Sequence, residues 1–444
     1  MLILYRIITL SLILRSNYCW HNFNETQSHV YNVTNSNSII NIDRFKLWPN
    51  LIRPQDFTNG KTLYGFFEAI DRIWNHQHPM KCHKSKFVVY QHHWDSGFGS
   101  MVHVESSLLG ISMELGRVFV NLPGDALLVN SKPHRSSFCK RQGINNMLCY
   151  YEPLSSCSVS EWDMKSAKKL KNQDICLKNC PLKYRKEFNS AKILLIDFSN
   201  IEFYSKFIPT AFSHILESSR IPVAFQYYWW RAVSAAYYIR PNRATLDYLS
   251  KLRTLPITND DICVGMHVRH GDKDSEMTLI PFKEYAAVAE TMRTTGLIAN
   301  AATSGRKIAI FLVTEDPTVL READAWANAS STWRVVYTNL FNRENVVAKL
   351  NTVDRIPNAV SLRSGGNLLR PHDLEYISML LNLEYALKCD AWVCTLASNS
   401  CRLIDELRAT VGGKANKPFA DLSQESCSKP PCIGAGIYNF GWRM

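Results

Sequence analysis

After its first residues the chain has no apolar run long enough to span a bilayer, which takes about 20 residues in a helix. The opening stretch, Met1 to Leu14, is interrupted by Arg6 and closed by Arg15, leaving Ile7 to Leu14 unbroken. That is the length of a signal-peptide core and is short for a spanning helix. Internal repeats and heptads are absent, so neither a solenoid nor a long coiled coil is expected. No nucleic-acid-binding module is legible, so the net charge of +12 points to an anionic substrate or an anionic membrane surface rather than to DNA or RNA. Cys176 and Cys180 lack a second, well-spaced pair, which argues against a zinc site.

What is present is ample material for a core. Hydrophobic residues make up 46% of 444, and a chain of this length is expected to hold two domains. The positive charge is concentrated. Lys132 to Lys186 holds twelve Lys or Arg against four Asp or Glu. The same stretch carries Cys139, Cys149, Cys157, Cys176 and Cys180 of the chain's thirteen cysteines. Many cysteines read as disulfide staples in an oxidising compartment. Cys263 and Cys394 lie in apolar runs and could equally be free core thiols; pairing cannot be deduced. The tripeptides Asn24-Glu-Thr, Asn32-Val-Thr and Asn328-Ala-Ser are glycosylation sequons, in keeping with a translocated chain.

Along the chain the expected organisation is a signal peptide or short anchor at 1–19, a flexible polar stem at 20–60, and a first α/β domain at 61–215. The Cys-rich basic segment 131–186 interrupts that domain as an insertion. Residues 216–255, rich in aromatics, read as helices packed between domains, and 256–444 as a second α/β domain. Short apolar runs ending in polar residues predict parallel strands at Lys86 to Tyr90, Arg117 to Asn121 and Lys192 to Asp197, with a helix over His103 to Leu115. A second series follows, with strands at Ile262–His267, Ile308–Thr314, Arg334–Tyr337 and Ala391–Thr395. Helices are predicted near Pro281–Thr295, Pro317–Ala327, Asp373–Lys388 and Leu403–Thr410. Strands alternating with helices in this way predict doubly wound sheets.

The densest chemistry lies at Val264 to Met277, Val-Gly-Met-His-Val-Arg-His-Gly-Asp-Lys-Asp-Ser-Glu-Met. A buried strand ends here in cations and carboxylates, at the kind of position where open α/β sheets place ligand crevices. Arg suits a phosphate as a planar fork and Lys as a point charge, while a carboxylate can serve as a base. A second segment, Asp390 to Arg402, reads Asp-Ala-Trp-Val-Cys-Thr-Leu-Ala-Ser-Asn-Ser-Cys-Arg: a strand, a small-residue turn and a helix start, which is sound phosphate chemistry. Upstream stand Tyr228-Trp-Trp-Arg-Ala-Val, Tyr238-Ile-Arg-Pro and Ser96-Gly-Phe-Gly-Ser. In order and spacing these segments resemble the α1,6-fucosyltransferases and their relatives, whose motifs read His-Val-Arg-Arg-Thr-Asp-Lys and Val-Cys-Thr-Phe-Ser-Ser-Gln-Val-Cys-Arg. The resemblance covers about residues 80 to 412.

That resemblance implies two facing Rossmann-like domains of the GT-B type and an inverting transferase using GDP-fucose. It implies no cofactor and no donor-site metal, the leaving diphosphate being neutralised by fixed cations. Arg269 matches the arginine that contacts the donor β-phosphate, and His267 the histidine that reads guanine. His270 stands where the family has a second Arg. Asp272 falls within the same donor-binding stretch, and Lys273 matches the family lysine. The family's general base is a Glu four residues after that Lys. Here Glu276 is three after it, with Asp274 the alternative base. The second guanine contact in the family is an Asp, and its place is taken by Asn382. Ser398 matches the phosphate-side Ser, Asn399 stands in place of Gln, and Cys401 matches Cys. Gly97, Phe98 and Gly99 read as a loop at a strand end where backbone can approach a ligand.

The expected function is therefore transfer of fucose from GDP-fucose to a glycan or glycoprotein acceptor, without nucleic acid as a partner. The alternatives are a non-catalytic relative that binds carbohydrate or nucleotide-sugar, and a transferase using another nucleotide-sugar. The expected compartment is the lumen of the secretory pathway, the Golgi first, with the endoplasmic reticulum or secretion as alternatives, and the N-terminal segment offers a membrane anchor.

Overall fold

The computed structural model describes residues 58–59, 61–90, 98–121, 138–139, 149–170, 186–196, 208–219, 221, 223–252, 257, 261–270, 279–298, 307–338 and 372–422. The first part begins with a small hairpin, β1 (Thr58–Asn59) and β2 (Thr62–Leu63), followed by α1 (Phe66–Gln77). Helix α1 is amphipathic: Phe66, Ala69, Ile73 and Gln77 are its buried residues, at the spacing of a single helical face. Then come β3 (Phe87–Tyr90), α2 (Phe98–Glu114), β4 (Val118–Asn121), α3 (Glu161–Met164), β5 (Lys168–Leu170), α4 (Lys186–Ser190) and β6 (Ile193–Ile196). The four strands β3 to β6 form one parallel sheet in the order β4-β3-β6-β5. β3 and β6 are buried at every residue, as expected of strands covered on both faces.

Three helices lead to the second sheet: α5 (Ser213–Ser218), α6 (Val223–Tyr238) and α7 (Arg243–Leu252). Tyr227, Tyr228, Trp229, Trp230, Tyr237 and Tyr238 of α6 are core, all of them buried. Next come β7 (Cys263–His267), α8 (Phe282–Thr294), β8 (Ile308–Val313), α9 (Pro317–Asn328), β9 (Trp333–Val336), α10 (His372–Lys388), β10 (Ala391–Cys394), α11 (Asn399–Arg408) and β11 (Phe419–Asp421). The five strands are parallel in the order β11-β10-β7-β8-β9. From β7 the chain winds outward through β8 and β9, then returns to place β10 on the other side of β7. The ends of β7 and β10 therefore flank the topological switch point, where open sheets bind ligands. The expected α/β class, with two doubly wound sheets, is what the chain adopts.

The two halves join through helices. α11 packs on both α2 and α6. The Leu63 N–H donates to the Ala409 carbonyl at 3.0 Å, and the Ala415 N–H to the Lys61 carbonyl at 2.9 Å, tying the hairpin to the end of α11. Helix α11 is unusual in that Arg402, Asp405, Glu406 and Arg408 are all buried. Charges are seldom buried unless paired or hydrogen-bonded, and three of the four have partners: Arg408 donates to the carbonyls of Ala386 and Cys389 at 2.9 and 2.7 Å, Tyr228 donates to Asp405 at 2.9 Å, and Glu406 pairs with Arg231.

Four disulfides lie among the described residues: Cys82–Cys157, Cys139–Cys149, Cys263–Cys389 and Cys394–Cys401. Cys263 and Cys394 are thus bridged, not free. Two helix starts differ from expectation. α2 begins at Phe98, five residues before His103, so Phe98 and Gly99 are in a helix and not in a loop. α11 begins at Asn399, four residues before Leu403. In both places small or polar residues occupy the first turn, where missing i→i−4 bonds make them well tolerated. Strands β5 and β11, the hairpin and α1 were not anticipated. β5 arises inside the segment 131–186 and supplies an edge of the first sheet.

Candidate functional site

His267 closes β7, and its register partner on β10 is Cys394. The side chain is 4% exposed, and Nδ1 is buried without a hydrogen-bond partner. Burial, then the charge of Arg269, pushes its pKa down to about 3, so the imidazole is neutral near pH 7. A buried polar nitrogen left unpaired costs about 1–3 kcal/mol. A ligand presenting a hydrogen-bonding edge at the switch point would remove that penalty.

On the neighbouring strand end, Ser398 is the N-cap residue of α11, with extended backbone. It is 4% exposed, yet its side chain makes no capping hydrogen bond. A serine in this position normally accepts from an N–H of the first turn. Here the hydroxyl remains available, and the positive end of a ten-residue helix lies behind it. The turn is fastened on both sides. Cys394–Cys401 bridges the strand to the helix across seven residues, and Asp421 at the end of β11 accepts from the Leu396 N–H at 2.9 Å.

Arg269 and His270 follow β7 and are tied to the turn after β8. Arg269 pairs with the Glu315 carboxylate and donates to the His270 carbonyl at 3.2 Å. His270 has both ring nitrogens in use: Nδ1 lies 3.0 Å from Asp316 Oδ2 and Nε2 lies 2.9 Å from the Ile280 carbonyl. Asp316 also caps α9, accepting from the Thr318 N–H at 2.8 Å. Asn382 lies on α10, its amide oxygen accepting from Thr338 Oγ1 at 2.6 Å, beyond the end of β9.

Asn399 and the α2 residues belong to the contact between the two halves. Asn399 donates to Ser100 Oγ at 2.5 Å, and its Oδ1 lies 2.9 Å from His103 Nδ1. A Cβ placed on Gly99 would come within 2.7 Å of the Asn399 carbonyl carbon and oxygen, so glycine is needed for this close approach. Phe98 stacks on Tyr151 at 6.2 Å and meets Tyr376 edge-on at 5.5 Å. The described residues therefore bring His267, Ser398 and Cys401 together at adjoining strand ends, with Phe98 and Gly99 packed alongside. Asn382 is linked instead to the β9 end. Gly97, Asp272, Lys273, Asp274 and Glu276 lie outside the described residues.

A buried polar cluster completes the contact, and it was not singled out from the sequence. Arg231 of α6 lies 2.6 Å from Glu406 Oε1 and 2.8 Å from His103 Nε2. Burial, then the Arg231 charge, pushes His103 down to about 4. A neutral His103 that donates through Nδ1 to Asn399 leaves Nε2 to accept from Arg231. Glu406 Oε2 is 2.9 Å from the same nitrogen and would accept its proton when one is present. Burial alone would raise the Glu406 carboxyl, but the charge of Arg231, then His103, outweighs it and holds the group below its ordinary value. Arg402 is 5% exposed and its Nε has no partner. The available signal was composition: Arg231 is the only charged residue in α6, so a partner for it had to exist.

The expectation of a metal-free site also took the chain to lack an Asp-x-Asp tripeptide, and the sequence corrects that point. Asp272-Lys273-Asp274 is an Asp-x-Asp tripeptide, the pattern by which many donor-site metals are held. A metal-free site therefore rests on the family resemblance alone.

No family model matches the chain, and no curated protein matches it. Among solved structures, a mutant of Arabidopsis thaliana FUT1 in complex with GDP aligns over 77% of this chain and 73% of its own, with 10% identity and a TM-score of 0.40. POFUT1 in complex with GDP-fucose aligns over 76% of this chain and 96% of its own, with 11% identity and a TM-score of 0.36. NodZ α-1,6-fucosyltransferase soaked with GDP-fucose, an enzyme described from Bradyrhizobium, aligns over 73% of this chain and 93% of its own, with 13% identity and a TM-score of 0.34.

Proposed function

We propose that the protein is an inverting glycosyltransferase that moves fucose from GDP-fucose to a hydroxyl of a glycan or glycoprotein. The observation that carries this reading is the pairing, across the switch point, of an uncapped α11 N-terminus at Ser398 with the unpartnered buried imidazole of His267. The first suits a diphosphate and the second the edge of a base, so one nucleotide diphosphate could engage both. In the proposed reaction the acceptor oxygen forms a bond to C1 as the bond from C1 to the diphosphate breaks. Charge grows on the leaving diphosphate, and Arg269, Lys273 and the helix N-terminus meet it. Glu276 takes the acceptor proton. The four disulfides support a site of action in an oxidising lumen, with the Golgi proposed.

A second reading, a binding relative without turnover, is favoured by the engagement of Arg269 with Glu315 and of both His270 nitrogens. One experiment separates the two. The purified protein is titrated with GDP and with other nucleoside diphosphates, and then incubated with GDP-fucose and other nucleotide-sugars while sugar release is followed. Preferred GDP binding with release of fucose supports the transferase. Tight GDP binding with no release selects the binding relative. Absence of any nucleotide binding removes both.

A further inference from the structure

The edge of the first sheet opposite the crevice holds a second concentration of charge that the proposed reaction does not use. Lys86 precedes β3, Lys192 precedes β6 and Lys168 opens β5. The pairings Phe87–Ile193 and Lys168–Leu194 place all three at the same end of the sheet. Lys192 donates to the His83 carbonyl at 2.6 Å, and Lys86 to the Asn189 carbonyl at 2.5 Å. Carbonyls orient these ammonium groups without neutralising them. The Cys82–Cys157 disulfide fastens the turn bearing Lys81 and Lys84 to the segment that runs into β5. Lys81, Lys84, Lys168, Lys169 and Lys192 are exposed. Asp163 is an exposed carboxylate near Lys192, held below its ordinary value first by its Ser160 hydrogen bonds.

The same edge carries bare apolar surface. Met80, beside Lys81, is 100% exposed, and Trp74 is 40% exposed. Trp74 stacks on His78 at 3.7 Å. The end of α1 is held to this edge by His76 Nε2, 2.7 Å from the carbonyl of Arg117, the residue before β4. Lysines surrounding an exposed apolar side chain are the chemistry of peripheral attachment to an anionic bilayer: ammonium groups meet headgroups and the apolar tip enters the interface. A soluble polyanion would engage the lysines but give Met80 no role.

We propose that this face, centred on Met80 and carrying Lys81, Lys84, Lys86, Lys168, Lys169 and Lys192, docks on an anionic phospholipid surface. The strands then run away from the membrane, and the crevice at their far ends opens into solution. The docking does not depend on the donor or the reaction.

The test is co-sedimentation of the full chain with vesicles of phosphatidylcholine alone and with vesicles that also contain phosphatidylserine. The N-terminal run, with Arg6 and Arg15, is common to every variant, so differences between variants isolate the face. Partition onto phosphatidylserine vesicles should exceed that onto phosphatidylcholine and fall as salt is raised. The triple variant Lys81→Glu, Lys84→Glu, Lys168→Glu should lose at least roughly tenfold in partition with an unchanged melting temperature. Met80→Ser should weaken vesicle binding while leaving retention on heparin unaltered. Equal partition onto both vesicle types would overturn the proposal. So would an undiminished triple variant of normal stability, or retention on heparin without vesicle binding, which would assign the face to a soluble polyanion.

Discussion

Asn399, the first residue of α11, reaches across to His103 of α2, with Oδ1 and Nδ1 2.9 Å apart. The turn that would cradle a diphosphate is therefore positioned by the opposite half of the molecule. Gly99 makes this approach feasible, since a Cβ there would lie 2.7 Å from the Asn399 backbone. Backbone atoms cannot swing aside as a flexible side chain can. Gly99→Ala should therefore destabilise the protein by about 1–3 kcal/mol through overpacking, read as a fall in melting temperature, and should weaken GDP binding. An unchanged melting temperature would mean that the halves do not meet as closely as described.

The histidines make stability acid-sensitive. An unfolded histidine titrates near 6.5, whereas folded His103 and His267 are pushed down to about 4 and about 3. Between these limits the unfolded chain binds more protons than the native one, so stability falls as pH drops from about 7 towards 4. Glu406, held below its ordinary value, adds to the loss at the acid end. Melting temperatures between pH 7.5 and 4.5 should decline, and His103→Asn should flatten the curve between 6.5 and 4.5. An equally steep decline in the variant would remove His103 as a source of the effect.

The strands were largely legible because a buried parallel strand is a short, nearly continuous apolar run, as in Phe87–Tyr90 and Cys263–His267. Strand β5 was not legible, since Lys-Lys-Leu carries no such pattern and owes its pairing to neighbours. The burial of helix α11 was not legible for a related reason. Its Arg-Leu-Ile-Asp-Glu-Leu-Arg run reads as a surface helix, but its charges are buried against α2, α6 and α10. Position along the chain singled out His267 and Ser398, which lie at adjoining strand ends. It could not reveal that Arg269 is shared with Glu315, or that His103 and Arg231, distant in sequence, meet at Glu406.

Ser398 offers a clean distinction between a cap and a ligand. If it stabilised α11 as an ordinary N-cap, Ser398→Ala would cost about 1 kcal/mol. Because the side chain makes no capping bond, the melting temperature should barely move. A hydrogen bond to a charged group is worth about 1.5–3 kcal/mol, so GDP affinity should fall by roughly tenfold or more. A destabilised variant with normal GDP affinity would reverse the assignment.

The Arg269–Glu315 pair sets two variants against each other. Arg269→Ala should abolish turnover, and Arg269→Lys should also fail badly because the planar fork is lost. Glu315→Gln removes the competing negative charge, so it should tighten GDP binding several-fold. The effect should shrink at high salt, where partly exposed charges are screened. Weaker GDP binding in Glu315→Gln would show that Glu315 orients Arg269 instead of competing for it.

The proposed base and the proposed metal independence can be tested together, because Glu276 lies two residues after Asp272-Lys273-Asp274. If fixed cations neutralise the diphosphate, activity should survive EDTA. Glu276→Gln should then lower kcat by roughly 10²-fold or more, the scale of a positioned base, with GDP affinity changed by less than about tenfold. Asp274→Asn should be milder in both respects. A metal held by the two aspartates predicts the opposite ranking. Chelation would end turnover, manganese or magnesium would restore it, and Asp274→Asn would lose donor binding along with kcat. Glu276 lies three residues after Lys273 where the resembling family has four, so the loop must absorb one residue for the carboxylate to face the acceptor. An inactive Asp274→Asn beside an active Glu276→Gln, with EDTA harmless, would move the base to Asp274 and leave the metal-free reaction standing.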